Sequence, residues 1–336
     1  MRYIGVDLHT TQVTVCYLKA EEDFEIRKYQ LCEIDKFVLS LKTSDEIAVE
    51  ATGNTRWFVE QVEHSVKRVV LVNPREFDVV KNSVKKTDQH DARNLARFLR
   101  ADLLPEVRGK SEEAEKVQSL VQTRIKLVRL KTSLINKIHG LSVSNGRKLK
   151  KTSLTSEKGL EKVLQAKWSA IERVELEIII KQIRFLKVSI KKLDKAIAAE
   201  SEKLKGFNNL LSISGIGNLS AGILLSVIGN IQDFGTADKL ASYFGIVPRV
   251  SNSNEKVNHG RITKRGKKTG RTTLVQCSLS AIKQNEYLKK YYEQVKARRG
   301  HGKAKIALAR KYLGIIYNTL TNGWVFADFN NFELAE

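Results

Sequence analysis

Four acidic residues near the start of the chain have the types and settings needed to bind metal ions for phosphoryl transfer. They are Asp7, Glu50, Asp88 and Asp91. Hard cations such as Mg²⁺ take oxygen ligands, and two ions about 4 Å apart can stabilise both the attacking and the leaving oxygen of a phosphodiester. The four acids therefore predict a two-metal site that cuts or rejoins nucleic-acid strands, although each could also be an ordinary surface charge.

Asp7 and Glu50 lie in segments of strand type. Asp7 is inside the apolar run RYIGVDLHT, which a short polar turn joins to a second such run, QVTVCYL. This pattern predicts a β-hairpin with Asp7 on its first strand. Glu50 ends the run EIAVE, and Gly53 and Asn54 mark a loop before a helix, so its carboxylate is well placed to point into a cleft.

Asp88 and Asp91 lie in the segment KKTDQHDARNLARFL. Thr87 is the expected N-cap of a helix there, and the three-residue step places both acids on one helical face. Negative charge is favourable in the first turn of a helix. His9 follows Asp7 by two residues, but a histidine at a strand end is more often structural, and the sequence gives it no assigned role.

The whole chain has the composition of a globular protein of two or three domains, with 336 residues of which 42% are apolar. Cys16, Cys32 and Cys277 are not spaced as zinc ligands, which favours reduced structural cysteines. The sequence has neither an apolar stretch of transmembrane length nor a signal-peptide pattern at its start. We therefore expect a cytoplasmic protein without a membrane partner.

The pattern of the chain changes twice along its length. Residues 1 to about 105 alternate strand-like and helical runs, which is α/β patterning, and residues 111–139 are wholly helical. After a polar break at 142–159, a helix is predicted from about Trp168 to Lys205. It has a heptad seam at Leu176, Ile179, Ile183, Leu186, Ile190, Leu193 and Ile197. Pairing of this seam with a partner chain is favoured over packing within a helical domain.

Positive charge is concentrated in the C-terminal third of the chain. The net charge is +22, and residues 249–312 contain eighteen Lys and Arg against three acids, a net +15. This predicts a phosphate-binding surface, although a basic run can also be merely a solvated face. Glycines in NHGRITKRGKKTGR would let the backbone approach a polyanion. The candidate contacts are Arg249, Arg261, Lys264, Arg265, Lys267, Lys268 and Arg271.

A glycine turn precedes this basic region, in LLSISGIGNLSAGILLSVIG. Two short apolar helices around Gly215 and Gly217 predict a helix-hairpin-helix, whose exposed backbone N–H groups bind a phosphate without reading sequence. An ordinary αα-hairpin with a tight turn is the alternative.

Taken in order, these motifs resemble the DEDD transposases of the insertion-sequence 110 family, a group that also includes the pilin-gene invertases. The resemblance rests on IGVDLH, VEATGN, VNP, KTDQHDARNLA, SISGIGNLSA, ASYFGIVPR and GRITKRGKKTGRTTL, and it leaves mainly the heptad segment without motif residues. It implies a RuvC-like, RNase H-fold domain with trailing helices at 1–150, a coiled coil at 151–205, and a mainly helical transposase domain at 206–336.

The resemblance also implies site residues. The family's four metal-binding acids map onto Asp7, Glu50, Asp88 and Asp91. Its nucleophilic serine, a few residues after a Gly-x-x-Pro motif, maps onto Ser253 after Gly245-Ile-Val-Pro248. Asn254 replaces the glycine that usually follows the serine, and asparagine is a common substitute where a left-handed backbone is needed. Ser251 is the rival for this role.

The reaction implied is DNA transposition through a phosphoserine link to one strand, in a composite site of the acids and the serine. Two Mg²⁺ ions are the implied cofactors, with Mn²⁺ as a substitute. The implied partners are donor and target DNA, a bridge RNA that supplies sequence choice by base pairing, and further copies of the chain, as a dimer and as a tetramer in the synaptic complex. The rival functions are a RuvC-like nuclease or resolvase that uses water, and a DNA- or RNA-binding protein without activity.

Overall fold

The described chain forms two compact units, Met1–Gly109 and Lys110–Glu336. The structure is a computed structural model that describes residues 1–19, 23–74, 76–77, 87–107, 109, 111–253 and 256–326, without the side chains of 251–253 and 256–259. The first unit is mixed α/β and the second is mainly helical, as the sequence predicts. The division into parts at residues 150 and 205 stays a prediction.

The first unit contains a five-stranded sheet. Its strands are β1 (Tyr3–Leu8), β2 (Gln12–Leu18), β3 (Phe24–Gln30), β4 (Glu46–Glu50) and β5 (Arg68–Val72), in the spatial order β3-β2-β1-β4-β5. The predicted hairpin of β1 and β2 is confirmed, and β3 extends it as an antiparallel meander. On the other side of β1, strands β4 and β5 run parallel to it.

Helices cover both faces of this sheet. Helices α1 (Ile34–Leu39) and α2 (Thr55–Val62) pack on the face that includes Ile4, Val6 and Ile47. Helix α3 (Asp88–Arg100) packs on the opposite face, where Ala48 and Cys16 are buried. Because successive residues of a strand point to opposite faces, Gly5 and Asp7 of β1 share the α3 face.

Gly5 determines how closely α3 approaches the sheet. A Cβ atom added at Gly5 would lie 1.9 Å from the carbonyl oxygen of Ala92 and 2.5 Å from the amide nitrogen of Ala96. Real side chains never come so close to backbone, so only glycine permits this contact. The close contact brings the start of α3 to the strand that bears Asp7.

Three helices begin the second unit: α4 (Glu112–Ser144), α5 (Glu157–Gln165) and α6 (Ala170–Ser201). The predicted heptad seam of α6 is confirmed as an apolar face, with six of its seven residues buried and Leu193 half-buried. Within this chain α6 packs along α4, and Leu176, Ile179 and Ile183 share a core with Ile138. The structure therefore shows the packing within a helical domain, and the favoured pairing of this seam with a partner chain is wrong.

The remaining elements surround the large core of the second unit. The helices are α7 (Phe207–Leu211), α8 (Asn218–Ile228), α9 (Ala237–Tyr243), α10 (Lys268–Ala281) and α11 (Glu286–Asn322), and α11 is interrupted at Gly300. Strands β6 (Pro248–Ser253) and β7 (Lys256–Ile262) form an antiparallel hairpin that the sequence did not predict. Among the described residues, no helix is long and apolar enough to cross a membrane.

Candidate metal centre and nucleic-acid interface

Asp7 and Glu50 come from neighbouring parallel strands. The register of β1 against β4 pairs Val6 with Val49, so Asp7 and Glu50 occupy the next position along the two strands. Both alternate with residues buried on the other face of the sheet, and both therefore point to the α3 face. The side chain of Asp7 is 19% exposed, so it lies at the edge of the core with access to solvent.

The start of α3 brings two further acids to this face. The predicted N-cap is confirmed, because the Thr87 hydroxyl accepts a hydrogen bond from the backbone N–H of His90 at 3.3 Å. Asp88 and Asp91 occupy the first turn, as predicted. Acids there are stabilised by the helix dipole, which offsets part of the cost of placing them beside Asp7.

Asp7, Asp88 and His9 form a three-residue cluster with the geometry of a metal site. One ligand atom from each lies within 4.8 Å of the other two. His9 Nε2 is 3.2 Å from a carboxylate oxygen of Asp7 and 3.5 Å from one of Asp88. Glu50 and Asp91 are not part of this group of three. His9, to which the sequence gave no role, is therefore a candidate metal ligand that sequence reasoning missed.

The pKa of Asp7 is shifted first by burial and then by the charged groups around it. Burial raises the pKa of the Asp7 carboxyl above its ordinary value, and the carboxylates of Asp88 and Asp91 raise it further, whereas His9 lowers it. Ionised carboxylates crowded in this way repel one another. A cation bound between them would relieve that repulsion, so the donor set and its charge fit a divalent metal ion.

Neighbouring residues hold the cluster in place. The side-chain amide of Gln12 donates to a carboxylate oxygen of Asp88 at 3.3 Å, and that of Asn54 donates to the backbone carbonyl of His9 at 2.9 Å. The Thr55 hydroxyl donates to the carbonyl of Glu50 at 2.8 Å, which fixes the loop that leaves β4. The first of these contacts restricts the rotation of the Asp88 carboxylate, and the other two hold the backbone from which His9 and Glu50 extend.

Exposed cations of the second unit surround the β6–β7 hairpin. Of the predicted phosphate contacts, six are exposed: Arg249, Arg261, Lys264, Arg265, Lys267 and Lys268. Arg271 is half-buried, and its guanidinium donates to the backbone carbonyls of Phe244 and Gly266, both at 3.1 Å. Arg271 therefore joins two turns of the fold.

The glycines of this basic segment do not have the role that the sequence suggested. A Cβ atom at Gly266 would lie 2.0 Å from the carbonyl oxygen of Tyr243, and one at Gly270 would meet Val227 at 2.9 Å. Both glycines are needed for close packing within the protein. Their expected use in backbone approach to a polyanion is not supported at these two positions.

An open groove lies between the β6–β7 hairpin and α11. Its floor contains the apolar residues Ile246, Val295 and Ile306. Five cationic residues line it: Arg261, Lys264, Arg299, Lys303 and Arg310. Three of these, Arg299, Lys303 and Arg310, were not among the predicted contacts. Arg299 and Lys303 lie in the sequence RRGHGK at the helix interruption, and Arg310 lies about two turns beyond this sequence.

Lys264, which lines this groove, has an unusual backbone conformation. Its φ angle is +56°, in the left-handed region that residues other than glycine and asparagine seldom adopt. The amide of Lys264 donates to the carbonyl of Gly245 at 3.0 Å, and Gly245 is itself left-handed at φ +66°. Such strain persists where surrounding contacts enforce it and clusters at functional sites.

The two glycines of the turn between α7 and α8 differ in their surroundings. A Cβ atom at Gly215, with φ +94°, would lie 2.6 Å from the carbonyl oxygen of Cys277, so Gly215 allows the turn to pack on α10. Gly217 is the exposed N-cap of α8 and has open space beside it. The two helices are confirmed, and their binding of a phosphate stays a prediction.

Ser253 and Ser251 both lie in strand β6. The backbone of Ser253 pairs with Lys256, and that of Ser251 pairs with Asn258. Their side chains lie outside the described residues, as does Asn254. The choice between the two serines therefore rests on the motif spacing.

Two family models match the chain in separate segments. The model described as Transposase IS116/IS110/IS902 family matches residues 207–293, which include the glycine turn, the β6–β7 hairpin and the basic segment. A second transposase model, for the DEDD transposases of IS110, matches residues 4–142, which include all four acids.

Similar proteins match over most of their length. The chain is 28% identical to the transposase for insertion sequence element IS1111A of Coxiella burnetii, over 96% of this chain and 90% of that protein. It is 26% identical to a probable family 20 transposase of Pseudomonas aeruginosa, over 82% and 83%. It is 22% identical to the transposase for insertion sequence element IS1328 of Yersinia enterocolitica, over 96% and 98%. With both domain models and these relatives matched in order, the chain belongs to the IS110/IS116/IS902 family of insertion-sequence transposases.

Proposed function

We propose that this transposase cuts and rejoins DNA through a phosphoserine intermediate, with the four acids as metal ligands and Ser253 as the nucleophile. The observation that supports this most is the cluster of Asp7, His9 and Asp88, whose ligand atoms lie within 4.8 Å of one another. The strand order, with an antiparallel meander joined to parallel strands, is that expected of a RuvC-like, RNase H-type sheet.

Asp7, Glu50, Asp88 and Asp91 would hold the metal ions, and His9 is placed either to join them or to orient Asp7. Two Mg²⁺ ions are proposed, and Mn²⁺ accepts the same oxygens together with an imidazole. When bound, the ions would supply Lewis-acid stabilisation of charge on the scissile phosphate. The hydrogen bonds from Gln12 and Asn54 keep the donor groups in place.

The serine step exchanges one phosphodiester for another. The Oγ of Ser253 forms a bond to phosphorus while the bond from phosphorus to a deoxyribose oxygen breaks, and the hydroxyl proton of the serine is replaced by one on the freed sugar hydroxyl. Attack by a different sugar hydroxyl reverses the step and restores the serine. The energy of the phosphodiester is conserved, so rejoining needs no ATP.

The exposed cations and the groove of the second unit would hold the nucleic acid. Helix α10 begins at Lys268 with Lys267 as its N-cap residue, and its first turn contains no acid. Lysines at a helix N-terminus add to the positive end of the dipole, an arrangement that favours bound phosphate. Base pairing with a bridge RNA is proposed to supply sequence choice, with the protein contacting backbones.

A suicide DNA substrate with a nick near the exchange point tests the chemistry. We expect a covalent protein–DNA adduct on a denaturing gel with wild type and with Ser251→Ala, and none with Ser253→Ala. Asp88→Asn should lower adduct formation by at least about 100-fold, because it removes a candidate metal ligand. An adduct with Ser253→Ala would refute the serine assignment, and cleaved DNA without any adduct would favour hydrolysis by water.

A further inference from the structure

His9 lies where two carboxylates converge on one ring nitrogen. Its Nε2 is 3.2 Å from Asp7 Oδ2 and 3.5 Å from Asp88 Oδ1. A hydrogen bond explains the first distance, but the second is longer than an ordinary hydrogen bond, and an N–H can be directed at only one of the two oxygens. Orientation of Asp7 by His9 therefore does not account for the approach of Asp88.

The three donor atoms are spaced as ligands of one ion. All of them lie within 4.8 Å of one another. Adjacent ligands of an octahedral ion with bonds of about 2.1 Å are about 3 Å apart, and opposite ligands are about 4 Å apart. The two distances from His9 Nε2 suit adjacent positions after small movements of the side chains. One ion can thus be bound by all three donors, whereas one proton cannot be shared among them.

The backbone of His9 is held from two sides. Its amide donates to the carbonyl of Gln12 at 3.0 Å, and its carbonyl accepts from the Asn54 side chain at 2.9 Å. The side-chain amide of Gln12 also donates to Asp88 at 3.3 Å. Gln12 therefore links the turn that contains His9 to the helix that contains Asp88. Donors connected in this way can bind an ion with little reorganisation.

An imidazole nitrogen and a carboxylate oxygen prefer different ions. Mg²⁺ is a hard ion that takes oxygen ligands and loses its waters reluctantly. Transition-metal ions accept an imidazole nitrogen, and Mn²⁺ is the member of that series that also suits carboxylates. A nitrogen beside two carboxylates therefore favours Mn²⁺ over Mg²⁺. Glu50 and Asp91, which are outside the group of three, offer carboxylate oxygens.

We propose that His9 Nε2 is a direct ligand of one metal ion, together with Asp7 and Asp88, and that it gives this position a preference for Mn²⁺ over Mg²⁺. The inference rests on the metal centre of the proposed function and adds the ligand that discriminates between ions. Mg²⁺ still fills the position where it is in large excess, by mass action. The two metal positions are then unlike, because the second has carboxylate ligands without an imidazole.

Electron paramagnetic resonance of the chain with Mn²⁺ tests the ligation directly. The sharp signal of free Mn²⁺ weakens when the ion binds, and a coordinated imidazole adds a nitrogen modulation to the spin echo. We expect this modulation with wild type and its loss in His9→Gln. The matched control is His90→Gln, which changes a histidine between Asp88 and Asp91 that is outside the group of three and should retain the modulation.

The outcomes of this experiment separate the ligand from the metal centre. Bound Mn²⁺ without nitrogen modulation, or modulation that persists in His9→Gln, would overturn ligation by His9 and leave the carboxylate centre intact. A Mn²⁺ signal that wild type does not weaken would overturn the metal centre itself, and His9 ligation with it.

Calorimetric titration with each ion tests the preference. Glutamine can still donate a hydrogen bond to Asp7 but has no ring nitrogen, so His9→Gln keeps an orienting contact and removes the ligand. Its dissociation constant for Mn²⁺ should rise by at least about tenfold, whereas that for Mg²⁺ should change by less than about threefold. Equal losses of affinity for the two ions would make His9 a positioning residue for Asp7 and would overturn the preference.

Discussion

The acidic cluster of the first unit and the basic groove of the second are opposite in charge but alike in design. Around Asp7 the fold gathers carboxylates at the meeting of β1, β4 and the start of α3. Beside the β6–β7 hairpin it gathers five cations over an apolar floor. Each collection of like charges opposes folding, so each is most readily understood as a site completed by an external ion of opposite charge.

The two regions differ in how firmly they are held. The acids sit on strands and a capped helix that pack through Gly5, and a metal ion needs donors fixed within fractions of an ångström. The cations extend from a two-stranded hairpin and an interrupted helix, which suits a phosphate backbone of variable position. Substitutions should therefore act through geometry in the first region and through charge number in the second.

The largest effect is expected from Gly5→Ala. Its Cβ would lie 1.9 Å from the carbonyl oxygen of Ala92, so α3 must move away from β1 and take Asp88 with it. Overpacking of this kind costs about 3 kcal/mol of folding free energy, and adduct formation on the suicide substrate should be abolished. Thermal unfolding and the adduct assay measure the two effects.

Gly53→Ala is the matched control for that change. Gly53 lies in the loop after Glu50, near the same acids, with no atom within 4 Å of an added Cβ. It should retain the stability and activity of wild type. Equal losses in both variants would show that close packing of α3 is not what positions the acids.

The triple variant Arg261→Ala/Arg299→Ala/Lys303→Ala tests whether DNA affinity depends on the number of positive charges in the groove. If these residues contact phosphates, DNA affinity at low salt should fall by about tenfold or more, and the slope of log K against log salt should become shallower by about 2 to 3. Fluorescence anisotropy with labelled duplex DNA at several salt concentrations gives both quantities.

Lys289→Ala/Lys290→Ala/Lys296→Ala is the charge-matched control for the groove. These lysines lie on the first part of α11, and two of them already pair with Glu286 and Glu293 at 3.0 Å. Surface pairs of this kind contribute little to stability. If this variant changed the salt slope as much as the groove variant, net charge alone would explain DNA binding.

The sequence predicted those features of the two regions that depend on neighbouring residues, and it missed those that depend on contacts between distant segments. The strands of Asp7 and Glu50 and the Thr87 cap were predicted, because apolar alternation and capping are local signals. The position of His9 beside Asp88 needs the end of β1 to meet the start of α3, and this tertiary contact has no local sequence signal. The β6–β7 hairpin was missed because its serines and asparagines have low strand propensity. The heptads of α6 predicted a buried seam without specifying that α4 covers it.

The smallest expected effect is the change in thermal stability caused by Asp7→Asn. It tests directly whether the acidic cluster lacks a bound cation. The folded protein raises the pKa of Asp7, so between its ordinary value and its raised value the folded state binds more protons than the unfolded state. Stability then falls as pH rises through this range, and the ionised group is destabilising at neutral pH. In EDTA at pH 7, Asp7→Asn should melt about 1–3 °C above wild type, and the difference should disappear below about pH 3.8.

Added Mg²⁺ or Mn²⁺ should reverse that order. A bound ion stabilises the folded state by mass action, and wild type has the ligand that Asp7→Asn lacks. Wild type should therefore gain melting temperature with metal, while the variant gains little. Asp102→Asn, at a left-handed position far more exposed than Asp7, should follow wild type under every condition. If Asp7→Asn were less stable than wild type in EDTA, the Asp7 carboxylate would be a structural group. The acidic cluster would then differ from the basic groove, because it would not need a bound ion of opposite charge.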